Sequence, residues 1–420
     1  MLTLFTSISV RRWTLIGIIN LALVALLGLF MRLKVILPLP WFDQKHILHA
    51  HSHFAFSGWV SHLLMVLIAM VVLNKNAHSV LPKKYQFLIS ANLFAAYGML
   101  FCFAWQGYGP YSISFSACTV LLSYVYTGMM WRSIAISNLT ALCRNWFRAA
   151  LLFLCFSSLG TYYLAYINSN GNIDPRQQLA AVYFFLHFQY NGWFIFSCLG
   201  LMQYWFDQHR LYIPGSKWLF RISVGACLPA FLLSVLWVHL PLWLYVFLVI
   251  VMVCVATNWF FWIYCLWRLR YQISLTLVPS TRILLLLVAL AASIKIILQA
   301  ASVIPALSTV AYGFRPIVIG YLHLVLLGVI SLFLLAFMTM QKILKLTKYG
   351  KWAISLFVVG VLANEILLML QGVTGMAGNY ISNLPLYLTF AAMLMLFALV
   401  AFLMTQILSK QRRKEDSTLY

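Results

Sequence analysis

The chain has 420 residues, of which 64% are hydrophobic and only 8% charged, and its 28 Lys and Arg against six Asp and Glu give a formal net charge of +22. With a mean hydropathy of +0.94 it lacks the polar residues to cover a water-facing surface, which excludes a soluble globule and makes the lipid bilayer its expected partner. Its cations are spread over many short segments instead of forming one basic patch, so nucleic acid is not an expected partner.

In chain order, twelve apolar runs approach the roughly 20 residues that a bilayer-crossing helix needs: 13–33, 47–73, 86–105, 113–131, 149–167, 179–206, 219–238, 243–267, 283–304, 316–340, 352–371 and 384–408. No Pro/Gly/Ser-rich linker, low-complexity tract or extramembrane domain separates them, so the reading is all-α, a polytopic membrane protein with 1–420 as a single transmembrane domain. The first run follows Arg11-Arg12, is too long for a signal-peptide core and shows no evident cleavage site, so it reads as an uncleaved helix.

Charge sets the orientation. With a cytoplasmic N-terminus, 22 of the 28 Lys and Arg fall in the two tails, the even-numbered loops and, for Arg221, the adjoining start of the seventh run; Arg32, Lys34, Lys45, Arg176 and Arg315 lie opposite, and Lys295 lies inside a span. The positive-inside rule then places both termini in the cytoplasm, and a bacterial inner (plasma) membrane is the expected setting. The eight cysteines include no CxxC pair and mostly fall inside spans, as small apolar packing residues do, and the sixteen methionines are dispersed as filler.

The ten histidines are not dispersed. His46, His49, His51 and His53 cluster at the start of the second run, His187 is early in the sixth, His239 ends the seventh and His323 is early in the tenth. On the orientation above, all seven lie in the outer half, whereas His62 lies deeper and His78 and His209 are cytoplasmic. A rise of 1.5 Å per residue puts His53, His187 and His323 at a similar depth, roughly 10 to 12 Å below the starts of their runs. His49 and His53, spaced i and i+4, share a helical face, while His51 is turned away by about half a turn. Such a pattern suits a haem, copper or zinc site. Set against this, an intramembrane histidine also serves as a hydrogen bond between helices, and His46 and His239, at helix ends, also suit contacts with headgroups or water.

Two other charges lie deep. Glu365 is the only acidic residue inside a run and Lys295 the only comparably deep lysine, and buried charges are costly unless paired or functional. They read as a structural ion pair or as marks on a proton route, with Gln299, Asn364 and Gln371 available to extend either. Tryptophan and tyrosine near the run ends fit interfacial belts; Trp59 and Trp193, beside histidines, fit packing or a porphyrin contact.

Twelve runs with outer-half histidines on the second, sixth and tenth resemble the catalytic subunit I of haem-copper oxidases, especially the cbb-type oxidase and nitric-oxide reductase branches. The segment from His187 through Tyr190-Asn191-Gly192-Trp193 to Met202 is similar to the helix bearing a copper-ligating histidine. His49 with Phe54-Ala55-Phe56-Ser57-Gly58 resembles the helix that supplies one axial ligand of the low-spin haem, and the tenth run resembles the helix with a His-x-His pair.

The resemblance implies a haem-copper oxidase subunit I-like bundle with a low-spin haem b held by His323 and by either His49 or His53. Arg315, Lys45 and His46 would be available to the propionates, although Arg315 also suits a lipid headgroup. Tyr321 stands where the high-spin haem ligand belongs, and the seventh run offers only His239 where adjacent copper-binding histidines are expected. Asn191 occupies the position of the cross-linked tyrosine found in some members, with Tyr190 one residue away.

The implied function is respiratory electron transfer with a degraded reduction centre, fed by quinol or a cytochrome and accompanied by further oxidase-type subunits. Enzymatic turnover stays open: an active divergent oxidase or nitric-oxide reductase would hold copper through His187, His239 and one of the cluster histidines His49, His51 and His53. His49-Ala50-His51 is also similar to the His-Ala-His helix of the NnrS family, which would imply haem or copper handling, or transport.

Overall fold

The computed structural model describes residues 8–171, 174–238, 240–304, 307, 314–379 and 381–418, with only the backbone for 409–418. Every extended element among them is a helix, as a membrane-spanning chain requires, because hydrocarbon offers no water to satisfy peptide groups. Ten are long and apolar enough to span: α1 (Val10–Ile36), α2 (Gln44–Val72), α3 (Lys83–Gln106), α4 (Pro110–Ala135), α5 (Ala141–Ser169), α8 (Leu242–Arg268), α10 (Pro279–Ala301), α11 (Arg315–Met340), α12 (Lys348–Met376) and the last, α13, over Leu384–Leu408. An eleventh is a bent pair, α7 (Ser216–Cys227) with a tight 3₁₀ segment Pro229–Val235 at 46°, where Pro229 cannot donate to an α-helical ladder. The run predicted at 179–206 is also helical: α6 comprises Pro175–His187, Phe188–Phe194 and Ile195–Gln208. Its polar centre at His187, Gln189 and Asn191 leaves it outside the ten strongly apolar helices. A short helix, α9 (Arg270–Thr276), lies between α8 and α10.

Helix starts follow local chemistry. Asp43 caps α2, its Oδ1 accepting from the backbone N–H of Lys45 (2.8 Å) and His46 (3.0 Å). Asp174 caps α6 ahead of Pro175, accepting from Arg176 N–H at 2.9 Å. Thr140 caps α5 and Thr347 caps α12 through their hydroxyls.

The described residues fall into two compact units, one comprising those up to Leu122 and from Leu334 onward, the other Ser123–Phe333. In the first, α2 is the central element: every residue from His62 to Val72 is buried, and from Leu63 onward the stretch is apolar all round and enclosed by protein. Asn20 of α1 binds it to its neighbours by donating to the Gly58 carbonyl (2.5 Å) and accepting from the Tyr97 hydroxyl of α3 (2.7 Å). Fully buried Gln406 of α13 forms a two-bond clamp on the Lys345 backbone, donating to its carbonyl (2.8 Å) and accepting from its N–H (3.1 Å).

In the second unit, α5 packs against α6 around Gly160, where a β-carbon would sit 2.6 Å from the Ala181 carbonyl oxygen. Phe153, Phe156, Phe184, Phe188 and Phe231 fill the adjoining interior, with Phe153 and Phe188 stacked at 5.6 Å. Gly328 of α11 packs on α10, where a β-carbon would lie 3.3 Å from that of Ala291. Ala291, Ala292 and Val329 form a small core there.

Candidate functional site

Three histidine-bearing helices share a backbone feature. In α2, α6 and α11 the ladder widens to π-helical hydrogen bonding over Ala55–Ser61, Phe188–Phe194 and Leu324–Ser331. These segments begin two residues after His53 and immediately after His187 and His323. A π turn accommodates one extra residue, is uncommon, and is frequent at functional sites. In the sequence, Gly58, Gly192 and Gly328 each stand five residues after their histidine, giving His-x₄-Gly three times. These glycines admit close neighbours: a β-carbon would overlap the Phe54 ring at Gly58 and Phe153 at Gly192. The recurring spacing is the sequence signal that locates the π turns.

In the first unit, α2 separates its histidines as their spacing predicts. His49 and His53 face the same aromatic wall: His53 stacks on Phe103 at 4.2 Å and shares a hydrogen bond with the Tyr108 hydroxyl (3.2 Å), and His49 meets the Tyr108 ring edgewise at 4.6 Å. His51 points to α1, where its Nδ1–H donates to the Val24 carbonyl (3.0 Å) and Gly28 makes room for the ring. His46 lies on Gly107, whose φ of +64° at the end of α3 suits glycine, and a β-carbon there would lie 2.5 Å from the imidazole. Fully buried His62 donates from Nε2 to the Trp13 carbonyl (3.0 Å), as a core histidine does.

In the second unit, His187, 2% exposed, uses both ring nitrogens. Nε2–H donates to the carbonyl of Cys227 (2.9 Å), at the bend where the Phe231 N–H turns to Leu228. Nδ1 accepts from the Asn191 amide (3.2 Å), the Asn191 carbonyl accepts from the Lys295 ammonium (2.6 Å), and Lys295 also donates to Gln299 (2.8 Å). These bonds form a relay that links the Lys295 ammonium, through Asn191 and His187, to a backbone carbonyl on another helix. Tyr190 and Tyr321 meet edge-on at 6.1 Å, and Tyr190 lies 6.2 Å from His187. The structure thus joins Tyr190, Asn191 and Tyr321, which sequence marked only as departures from a family pattern, to Lys295 and His187.

His323 is half-buried on α11, and its Nδ1–H donates to the Ile319 carbonyl one turn back (2.8 Å). That bond fixes the tautomer and leaves the lone pair on Nε2, the arrangement a metal-binding imidazole adopts when a backbone carbonyl orients it. Arg315 is the exposed first residue of the same helix. Glu365 on α12 accepts from Asn364 (3.2 Å), and its other carboxylate oxygen is buried with no hydrogen-bond partner among the described residues. His239 lies outside the described residues. Among the described residues, no three His, Cys, Asp or Glu side chains converge as a metal cage. Two axial imidazoles, which are all a six-coordinate haem takes from protein, need no such group. Compared with known proteins, the chain matches no family model and no curated sequence.

Proposed function

We propose that this chain is a divergent oxidase subunit I-like membrane protein that binds one low-spin b-type haem and carries electrons within a respiratory membrane. His323 is one axial ligand, and His49 and His53 are the residues from which the second is drawn. The observation carrying this reading is the π turn that follows a histidine in each of α2, α6 and α11. Support comes from His323, whose Nδ1–H donates to the Ile319 carbonyl, the kind of backbone bond that orients a ligating imidazole. His187 supports the loss of a copper centre, since both its nitrogens serve hydrogen bonds to Cys227 and Asn191. Taking 175–208 and the bent pair as spans gives twelve, the number that keeps both tails and the basic loops on the cytoplasmic side.

A haem held by two imidazoles supplies a one-electron carrier with no open coordination position. The protein's part is to orient the imidazoles through backbone carbonyls and to keep water out with aromatic packing such as Phe103 on His53. Electrons would come from quinol or a cytochrome, with further oxidase-type subunits as assembly partners.

The test is a reduced-minus-oxidised spectrum of the purified protein, with and without carbon monoxide, alongside iron and copper analysis. A single six-coordinate b-type haem with no copper and no carbon-monoxide shift is expected. A carbon-monoxide-reactive haem with stoichiometric copper would instead make the chain a reductase. Absence of haem would overturn the reading in favour of metal handling or transport.

A further inference from the structure

Within the second unit lies a cavity of about 690 Å³ that has no part in the haem reading. It follows one stripe of α10, from Arg282 through Leu285, Ala289 and Ala292 to Lys295 and Gln299, positions that recur every three or four residues. At 1.5 Å per residue, Arg282 and Lys295 are about 20 Å apart along the helix. The cavity is therefore long, with cations at both ends and an apolar middle.

One end is built by Arg270 and Arg282. Arg270 lies 4.8 Å from the centre of the Trp267 ring and donates to that residue's carbonyl (3.0 Å). Arg282 has a buried Nε with no hydrogen-bond partner among the described residues. The middle offers little hydrogen bonding: the indole N–H groups of Trp259 and Trp262 are taken by the hydroxyls of Ser293 (3.0 Å) and Ser216 (3.3 Å), leaving their rings as walls. At the far end Lys295, 5% exposed, gives two of its three ammonium donors to the neutral amides of Asn191 and Gln299. No carboxylate forms a salt bridge to it among the described residues. An apolar chain ending there would strip an ammonium of solvation without replacing it, so the occupant must bring an acceptor.

We infer that this cavity binds a long-chain anionic amphiphile with a second hydrogen-bond acceptor near the end of its chain, its acid held by Arg270 and Arg282 and its distal acceptor by Lys295. Charge selects the acid at one end, length and hydrogen bonding select the distal group at the other, and the aromatic walls take the methylenes between.

The test uses the full-length protein in lipid nanodiscs, titrated with ω-hydroxypalmitate, palmitate or hexadecanol and read by tryptophan fluorescence, because Trp259, Trp262 and Trp267 line the cavity. A hydrogen bond to a charged group makes ω-hydroxypalmitate bind about tenfold more tightly than palmitate, and palmitate more tightly than hexadecanol. Lys295→Met abolishes the first preference and Arg282→Gln the second. Equal affinity for the three ligands, or no binding, overturns the proposal, and this ranking on the unmodified protein decides it even if a variant fails to fold. Haem content is measured on the same samples, so failure here and failure of the haem reading are separately visible.

Discussion

The π turns of α6 and α11 begin alike and serve different ends. Each opens immediately after a histidine and contains a glycine five residues beyond it. His187 is buried and hydrogen-bonded through both nitrogens, to Cys227 and Asn191, whereas His323 is half-buried, with its Nδ1 held by its own helix at Ile319. Equivalent sequence spacing therefore does not settle whether an intramembrane histidine is a ligand. What differs is where the bonds lead: Cys227 ties His187 to another helix, whereas Ile319 belongs to the helix of His323 itself.

The largest effect expected from breaking this comparison is at His323. His323→Ala should reduce bound haem at least tenfold, read as the reduced-minus-oxidised band per mole of folded protein, and a full band in the variant would remove His323 from the site. His187→Ala should leave that band in place but cost about 2–4 kcal/mol of stability, since the Asn191 amide and Cys227 carbonyl lose partners in a buried setting. Thermal unfolding in detergent measures this, and an unchanged midpoint would show that the network carries no stability.

The glycine positions sharpen the point. Gly192→Ala should cost about 1–3 kcal/mol through overlap with Phe153, whereas Gly128→Ala, with nothing within 4 Å of the added carbon, should be neutral or gain up to about 1 kcal/mol from helix propensity. Equal outcomes in unfolding experiments would mean that the α5–α6 approach is less tight than described. The smallest effect concerns Asp43. The backbone N–H of His46, with that of Lys45, holds its carboxyl below the usual carboxylate range. A depressed folded-state pKa contributes stability above the unfolded value, near 4, that is lost as pH falls through the folded one. Asp43→Asn should therefore narrow the stability difference between neutral and acidic pH; an unchanged difference would show that this cap does not titrate.

Hydropathy alone located the ten strongly apolar helices, and a helical period of about 100° per residue separated His51 from His49 and His53. The bend at Pro229 was less legible because the flanking residues stay apolar across it, and hydropathy does not register a missing N–H. Asn191 stands at a departure from a family position, yet it is the residue that joins Lys295 to His187. The link was hidden because Lys295 is 104 residues away and amides mark no particular chemistry in sequence. His-x₄-Gly was present throughout, but one instance of that spacing means little, and only its coincidence with three widened turns gives it weight.

The π turns also divide each of these helices into two angular frames. Wound as an unbroken α-helix with the same number of residues, α2 would turn everything before Ala55 by about 100° relative to everything after Ser61. The buried stretch His62–Val72 fixes the inner frame, so the rotation would fall on the outer one and carry His49 and His53 off the Phe103 and Tyr108 wall. The direction in which these imidazoles point is thus set by the widened winding of one turn, some distance along the helix from the rings themselves.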